Sequence, residues 1–264
     1  MTGANPTIKT LWIGPRLSEL ESLSLRSFLH FGHEVELFQY EPVENVPRGV
    51  RLRDANEVLP VESIFHYEKK RSVAGFANWF RYSLLFDEGG IWVDTDVVCL
   101  RPFDFEQELV FGKEEIGRIN NAVLGGPPAH PLFEFMRDQA ERPNAFLPFD
   151  SWKDKRRKLK RRYLQGNRRG NVRWGEVGPI GLTRAVEHFD LGRFALPYRA
   201  FYPIHSKRWD SIFDESPSPC DDLFRTSYAL HLWHEMFRDR SGFDKDAAFP
   251  ESSFIERLKK RYEQ

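Results

Sequence analysis

The sequence predicts an α/β fold in which a mixed sheet is flanked by helices. Residues 8–40 pass from an apolar strand to a stretch with apolar residues at helical spacing, and then to a second apolar strand. Residues 72–93 contain a longer helical stripe that ends at a Gly-Gly pair and is followed by a short buried strand. Strand–helix–strand units usually form parallel sheets with right-handed crossovers, so both patterns favour this class.

The individual elements follow from local patterns in chain order. Short apolar runs bounded by glycine, proline or charged residues predict strands at residues 8–13, 35–40, 50–53, 91–93, 97–100, 109–112, 122–124 and 228–233. Helical spacing of apolar residues predicts helices at residues 17–31, 72–88, 130–141 and 179–189, and a more polar helix is predicted at residues 253–262. No linker is clear enough to divide the chain, so we expect a single domain over residues 1–264.

The composition excludes several classes of protein. The chain has 264 residues, of which 41% are hydrophobic and 30% charged, which is the balance of a folded protein. Lys plus Arg and Asp plus Glu are 39 each, so the net charge is zero and nucleic-acid binding is not expected. The sequence has no apolar run of membrane-spanning length and no signal-peptide pattern. Because Cys99 and Cys220 are the only cysteines, no disulfide framework is expected, and we predict a cytoplasmic location.

The strongest chemical pattern is Asp94-Thr95-Asp96, which follows the strand predicted at residues 91–93. Two carboxylates in this arrangement can face one spot, and their repulsion favours a cation between them. Carboxylate oxygens suit hard ions such as Mg²⁺ or Mn²⁺. The carboxyl ends of strands are also where α/β sheets hold ligands. A solvated turn remains the alternative interpretation of the triplet.

A second group of candidates precedes the aspartates. Asn78 and Arg81 are three residues apart on the predicted helix and therefore share a face. The guanidinium could reach a phosphate or a sugar hydroxyl near the aspartates, although a salt bridge elsewhere is the simpler interpretation of an arginine alone. Gly89-Gly90 ends the helix, and Gly90 would also allow the backbone to approach a ligand closely.

These motifs together resemble the sugar-binding region of glycosyltransferases that carry a DXD motif. That group includes α-1,4-galactosyltransferases, initiating mannosyltransferases and clostridial toxin glucosyltransferases. The order and spacing of the motifs match over residues 77–97. Shorter patches that agree are Leu11-Trp12-Ile13-Gly14, Asn120-Asn121, His130-Pro131, Gly178-Pro179 and His231-Leu232-Trp233. One departure is Asn78, where the family has an aspartate, so the charge is lost but hydrogen bonding is kept.

The resemblance implies a GT-A fold, which is a Rossmann-like mixed sheet flanked by helices. It also implies a metal-dependent glycosyltransferase that retains the anomeric configuration. Such an enzyme would move a hexose from a nucleotide-sugar to a glycan or a lipid-linked acceptor. A UDP-sugar is favoured as the donor, with GDP-mannose as the alternative.

The roles implied for single residues divide between the metal and the donor. Mn²⁺ or Mg²⁺ would be held mainly by Asp96, with help from Asp94 and His231. Arg81 would contact the sugar or phosphate of the donor. The remaining donor contacts would come from Trp12 (stacked on the base), Asn78, Gly90, Asn121 and Trp233. Without the resemblance, Trp12 and His231 would be interpreted as core residues, because each lies in an apolar strand.

A helical insertion at about residues 150–174 concentrates positive charge. From Lys153 to Arg173 there are eleven lysines and arginines and one acid, Asp154, so this stretch carries a net charge of +10. A solvated helix face, an anionic membrane surface and a nucleic acid are all compatible with it. A solvated helix face is the simplest interpretation. Of the two binding partners, we favour peripheral contact with the inner face of an anionic membrane over a nucleic acid, because a lipid-linked acceptor would lie there.

Two other functions fit the Asp-X-Asp pattern. A phosphatase with an aspartate nucleophile also carries such a pair after an apolar strand, and Asp221-Asp222 is its candidate for a second acidic pair. A non-catalytic protein that binds nucleotide-sugars or glycans would account for the loss of charge at Asn78. Turnover of a phosphate ester would indicate the first alternative, and donor binding without turnover would indicate the second.

Overall fold

A seven-stranded mixed sheet forms the centre of the structure, a computed structural model that describes residues 5–215, 224–237 and 242–263. The strands are β1 (Ile8–Trp12), β2 (Val35–Gln39), β3 (Arg51–Asp54), β4 (Gly90–Val93), β5 (Val97–Cys99), β6 (Val110–Lys113), β7 (Ile119–Gly126), β8 (Ala195–Leu196) and β9 (Ala229–His231). The sheet has the order β3-β2-β1-β4-β7-β6-β8, and β5 pairs with β9 in a separate two-stranded sheet. Neighbours from β3 to β4 are parallel, whereas β7 runs antiparallel to β4 and β6.

Helices pack around this sheet. They are α1 (Glu19–His30), α2 (Ala74–Glu88), α3 (Pro131–Glu141), α4 (Trp152–Leu164), α5 (Pro179–His188), α6 (His234–Phe237) and α7 (Phe254–Arg261). The end of α2 requires glycine, because Gly89 has a φ of +63° and a Cβ atom there would lie 2.7 Å from the ring of Pro128. In the part of the chain that the structure describes, no helix combines the length and the apolar character needed to cross a membrane.

The predicted fold class is confirmed, because a Rossmann-like mixed sheet is flanked by helices on both faces. Three details differ from the sequence prediction. Strand β7 extends well beyond residues 122–124, since its polar Asn120 and Asn121 are buried in the sheet. Strand β8 has no counterpart in the prediction, and β5 leaves the main sheet to pair with β9. Cys220 and the pair Asp221-Asp222 lie outside the described residues.

The core positions α2 and β4 for function. The apolar side of α2 is fully buried, with Phe76, Phe80 and Leu84 among the side chains that have no exposed surface. Trp92 of β4 packs in the same cluster, with its ring 6.2 Å from that of Phe80. This packing fixes the polar residues of α2 beside the carboxyl end of β4, where the Asp-X-Asp motif begins.

Candidate active site

A cleft of about 700 Å³ opens at the carboxyl ends of β1 and β4. All but one of the residues predicted for the site line this cleft. They are Trp12, Asn78, Arg81, Asp94, Asp96, Asn121, His231 and Trp233. These side chains come from both ends of the chain and are brought together by the pairing of β4 with β1 and β7, and of β5 with β9.

The exception is Gly90, which does not line this cleft. It lies at the opposite end of β4 from Asp94, paired with Gly126. A Cβ atom on Gly90 would meet Lys9 at 3.4 Å and the carbonyl oxygen of Thr7 at 3.5 Å. Its φ of +93° already requires glycine, so backbone conformation explains this residue without a ligand.

Asp96 and His231 form one half of a charged cluster. Register pairing of Val97 with His231 places the histidine beside the aspartate, and Nε2 of His231 lies 3.2 Å from Oδ1 of Asp96. The backbone N–H of His234 donates to Oδ2 of Asp96 at 2.9 Å. Both Asp96 and His231 are buried, so each charge has a specific partner in a poorly solvated place.

Asp94 and Arg81 form the other half. The Arg81 guanidinium donates to Oδ1 of Asp94, and the indole N–H of Trp92 donates to the same oxygen at 2.7 Å. The guanidinium also lies over the Trp92 ring, 4.8 Å from its centre, and its side chain is only 3% exposed. In this arrangement Arg81 holds and orients Asp94, and the predicted contact of Arg81 with the donor stays a prediction.

The two carboxylates have opposite pKa shifts. Burial raises the pKa of Asp94, and the neighbouring Asp96 raises it further against the effect of Arg81. Burial would also raise the pKa of Asp96, but His231 outweighs it and holds this pKa far below the ordinary range. Burial lowers the pKa of His231, yet the pairing with Asp96 leaves it raised. Each member of this pair therefore favours the charged form of the other.

An amide network lies next to Arg81. Oδ1 of Asn78 accepts from Nη1 of Arg81 and from Nδ2 of Asn121, both at 2.8 Å. Nδ2 of Asn121 also donates to the hydroxyl of Tyr82 at 3.0 Å. Gly178 allows this packing, because a Cβ atom there would lie 2.9 Å from Nδ2 of Asn78. The oxygen of Asn78 is thus engaged inside the protein, and Asp94 is the acidic partner of Arg81.

Two tryptophans border the cluster. The Trp233 ring lies 4.3 Å from the His231 ring, and its N–H donates to the carbonyl oxygen of Ile204 at 2.8 Å. Trp233 has a φ of +60°, a left-handed conformation that turns the chain from β9 into α6. Trp12, the last residue of β1, lines the cleft, and its buried N–H has no hydrogen-bond partner within the described part of the chain. Stacking of Trp12 on a base stays a prediction.

Sequence reasoning missed a third group of cleft residues. Glu21 of α1 is buried and pairs with Nδ1 of His234 at 2.9 Å and with the ammonium group of Lys245. These two partners hold the pKa of Glu21 well below its ordinary range, although burial by itself raises it. Glu114 and Asn120 also line the cleft. Asn120 lies in the Asn120-Asn121 patch of the resemblance, which assigns it no role. Glu21 also completes the capping box of α1 with Ser18, which explains a glutamate there without a ligand. Glu114 belongs to no short motif.

Asp94, Asp96 and His231 fit a divalent metal ion. Each offers one ligand atom, and these atoms all lie within 4.8 Å of one another. Among the described residues, no other group of acidic, histidine or cysteine side chains meets this condition. Two carboxylates favour a hard cation, and the imidazole favours a transition metal such as Mn²⁺ over Mg²⁺. The repulsion between the carboxylates gives the cluster a further electrostatic reason to hold a cation.

Two family models match the chain. The glycosyltransferase sugar-binding region containing the DXD motif matches residues 36–117. The alpha 1,4-glycosyltransferase conserved region matches residues 169–248. The first match includes Arg81 and both aspartates, and the second includes His231 and Trp233. The cluster of Asp94, Asp96 and His231, which could hold a metal ion, is therefore assembled from both regions.

Two of the relatives that match the chain are named as glycosyltransferases. The chain is 27% identical over 208 residues to the alpha-1,4-N-acetylglucosaminyltransferase of Homo sapiens, which covers 69% of this chain and 51% of that protein. It is 29% identical over 167 residues to the lactosylceramide 4-alpha-galactosyltransferase of Mus musculus, which covers 59% of this chain and 39% of that protein. The chain therefore matches about half of the first relative and less of the second.

Two solved structures are similar over nearly the whole chain. The PaToxG glycosyltransferase aligns with a TM-score of 0.49 and 15% identity, over 98% of this chain and 85% of its own. The ligand-free glycosyltransferase domain from the YGT toxin aligns with a TM-score of 0.48 and 9% identity, over 97% of this chain and 94% of its own.

Proposed function

We propose that the chain is a glycosyltransferase of the type that carries a DXD motif, and that it transfers a sugar from a nucleotide-linked donor with the help of a divalent metal ion; the two family matches support this. The observation that supports this most directly is the cluster of Asp94, Asp96 and His231 on the wall of the cleft. Its oxygen and nitrogen atoms are close enough to share one cation. Mn²⁺ is the preferred ion and Mg²⁺ the alternative.

The chain's own residues prepare the site for the ion. Asp96 and His231 are paired with each other, and their oxygen and nitrogen atoms would be ligands of the ion. Arg81 and Trp92 fix one oxygen of Asp94, which limits the rotation of this carboxylate and presents it to the cleft. When bound, the metal ion supplies charge stabilisation to the leaving diphosphate.

The donor and acceptor are proposed from the relatives together with the cleft. The names of the relatives specify α-1,4 transfer of N-acetylglucosamine in one case and of galactose to lactosylceramide in the other. We therefore favour a UDP-sugar over GDP-mannose, and a glycan or lipid-linked glycan as acceptor. Retention of the anomeric configuration is part of the proposal, as is a location in the cytoplasm.

Donor hydrolysis tests the proposal without requiring the acceptor. UDP-galactose, UDP-N-acetylglucosamine and GDP-mannose are each incubated with the chain and Mn²⁺, with and without a chelator. We expect release of nucleotide from one donor, its loss with the chelator, and about a thousandfold slower release in Asp96→Ala, because metal stabilisation of a leaving group is worth several kcal/mol. Asp138→Ala, on the exposed surface of α3, is the matched control and should keep full activity.

The other outcomes identify the alternatives. Full activity in Asp96→Ala would refute the metal role. Calorimetric binding of a donor without hydrolysis, and without transfer to lactose, would indicate a non-catalytic binding protein. Turnover of p-nitrophenyl phosphate without any donor binding would indicate the phosphatase. With an active donor, the anomeric configuration of the released sugar, followed by NMR at early times, tests retention.

A further inference from the structure

One face of α4 exposes large apolar side chains next to cations. The apolar members are Trp152, Tyr163 and Leu164, which are 75%, 72% and 77% exposed. Lys153, Arg156 and Lys160 are exposed between them on the same side of the helix. We call these six residues the basic aromatic face. Exposed apolar residues of this size on a helix cost solvation free energy unless they contact a partner.

The opposite face of α4 is fixed to the protein. The ammonium group of Lys158 lies 2.7 Å from a carboxylate oxygen of Asp150, and both side chains are almost fully buried. Arg161 forms a second pair with Glu176, at 2.6 Å. Ser151 caps the start of the helix by accepting from the backbone N–H of Asp154. The exposure of the basic aromatic face therefore belongs to a well-anchored helix.

The basic aromatic face contains no acid. The single acidic residue of α4, Asp154, is turned away and pairs with Arg157 at 2.5 Å and with Arg184 at 3.4 Å. The face thus keeps three positive charges, although several other cations of the segment are neutralised inside the protein. Its charge would repel the same face of a second copy of the chain.

We propose that the basic aromatic face binds the surface of an anionic lipid bilayer. Trp and Tyr side chains favour the interface between head groups and acyl chains, and Leu164 would enter its apolar part. Lys153, Arg156 and Lys160 would lie among the anionic head groups. A nucleic acid would need the cations but would leave an exposed leucine without a partner. The combination of charge and apolar area on one helix face therefore fits a lipid surface better.

Binding through this face would also orient the cleft. Glu176, which anchors α4 through Arg161, is two residues from Trp174, and Trp174 lines the cleft. Because the pair of Arg161 with Glu176 lies on the opposite face of α4, a bilayer bound to the basic aromatic face would be separated from this part of the chain by the width of the helix, about 10 Å. A lipid-linked acceptor would reach the cleft across that distance. This last step rests on the proposed function, whereas lipid binding itself does not.

Vesicle co-sedimentation of the full chain tests the inference. Vesicles of phosphatidylcholine alone are compared with vesicles that contain phosphatidylglycerol, at low and high NaCl. We expect binding only to the anionic vesicles and a decrease with salt. The triple variant K153E/R156E/K160E should bind about a hundredfold more weakly. W152A/Y163A/L164A should bind at least about tenfold more weakly at unchanged charge, because the buried apolar area is lost.

A charge-matched control separates binding through this face from a general effect of net charge. The variant R48E/R193E/K207E changes the net charge equally on other exposed parts of the chain and should bind like the native protein. Circular dichroism checks that each variant folds, and donor hydrolysis checks that its cleft is intact. A chain that binds vesicles but does not hydrolyse a donor would contradict the proposed function and leave the lipid inference standing. Absence of binding to anionic vesicles, or native binding by K153E/R156E/K160E, would overturn the inference. Tight, salt-sensitive binding to RNA instead of vesicles would assign the face to nucleic acid.

Discussion

The cleft and helix α4 both concentrate charged side chains, but they differ in how each charge is compensated. In the cleft, Asp94 and Asp96 have separate and specific partners, and their pKa shifts are opposite in direction. On α4, one face pairs its cations with buried carboxylates, while the other leaves them in solvent. Fixed, buried pairs suit a small ligand with defined geometry, such as a metal ion. Mobile, exposed cations suit an extended surface with diffuse charge.

The same helix therefore offers an internal comparison. Lys158 and Lys160 are two residues apart, yet one is 3% exposed and bonded to Asp150, and the other is exposed. Burial lowers the pKa of Lys158, and Asp150 opposes this effect. Two lysines in the same basic run can therefore contribute very differently to stability. The contribution of each depends on the face of the helix on which it lies.

The largest effect on stability is expected from Asp150→Ala. It would leave the ammonium group of Lys158 buried without its carboxylate partner, with the carbonyl oxygen of Ala145 as its one remaining acceptor among the described residues. Removal of one member of a buried ion pair costs about 3–5 kcal/mol. Urea unfolding measures the change, with Lys160→Ala as the control on the exposed face, for which we expect about 0.5 kcal/mol or less. A loss below about 1 kcal/mol in Asp150→Ala would contradict the difference between the two faces.

A smaller effect is expected in the cleft from Arg81→Lys. Lysine keeps the charge but cannot donate to Asn78 and Asp94 in the same planar geometry. Since partners that orient metal ligands contribute about 10–100-fold to metal affinity or activity, Mn²⁺ affinity or donor hydrolysis should decrease by that factor. Calorimetry with Mn²⁺ and initial rates at saturating Mn²⁺ distinguish the two effects. Native values for both would mean that Arg81 does not orient Asp94.

The local parts of the molecule could be predicted from the sequence. Helix α2 and strand β4 follow from patterns within about twenty residues. The pairing of Arg81 with Asp94 does not, because the sequence predicts a contact of Arg81 with the donor or a salt bridge elsewhere. The location of His231 beside Asp96 required the resemblance, because it depends on the pairing of β5 with β9, which no local pattern indicates. Strands β5 and β9 are short and far apart in the chain, so their pairing depends on tertiary packing, which the periodicity of the sequence does not reveal.

Other features depend on information that a sequence pattern does not contain. The place of Gly90 beside the motif suggests a role in the site, but the direction of β4 carries this residue to the far end of the strand. Glu21, His234 and Lys245 come from three separate parts of the chain, so no motif links them. The two faces of α4 could not be distinguished either, because the carboxylates that neutralise Lys158 and Arg161 lie outside the helix.

The smallest expected effect is a pH-dependent one, on the anchored face of α4. Burial raises the pKa of Glu176, but pairing with Arg161 outweighs this and leaves the pKa lowered. A carboxylate whose pKa is lower in the folded than in the unfolded protein stabilises the fold at pH values above its ordinary pKa. This stabilisation is lost as the pH falls through the pKa of the folded state. In Arg161→Met this contribution is absent, so the stability gap between native protein and variant should be largest at about pH 7. It should narrow as the pH falls below the ordinary glutamate pKa.

Urea unfolding at about pH 7 and about pH 3.5, on either side of the ordinary glutamate pKa, measures this gap. Lys160→Met serves as the matched control, because it removes a cation from the exposed face of the same helix and leaves Glu176 paired. Its difference from the native protein should be the same at both pH values. A gap for Arg161→Met that is constant with pH, or that widens in acid, would mean that the pair with Glu176 does not fix α4 electrostatically. The anchoring of this helix would then rest on its other contacts, among them the pair of Lys158 with Asp150.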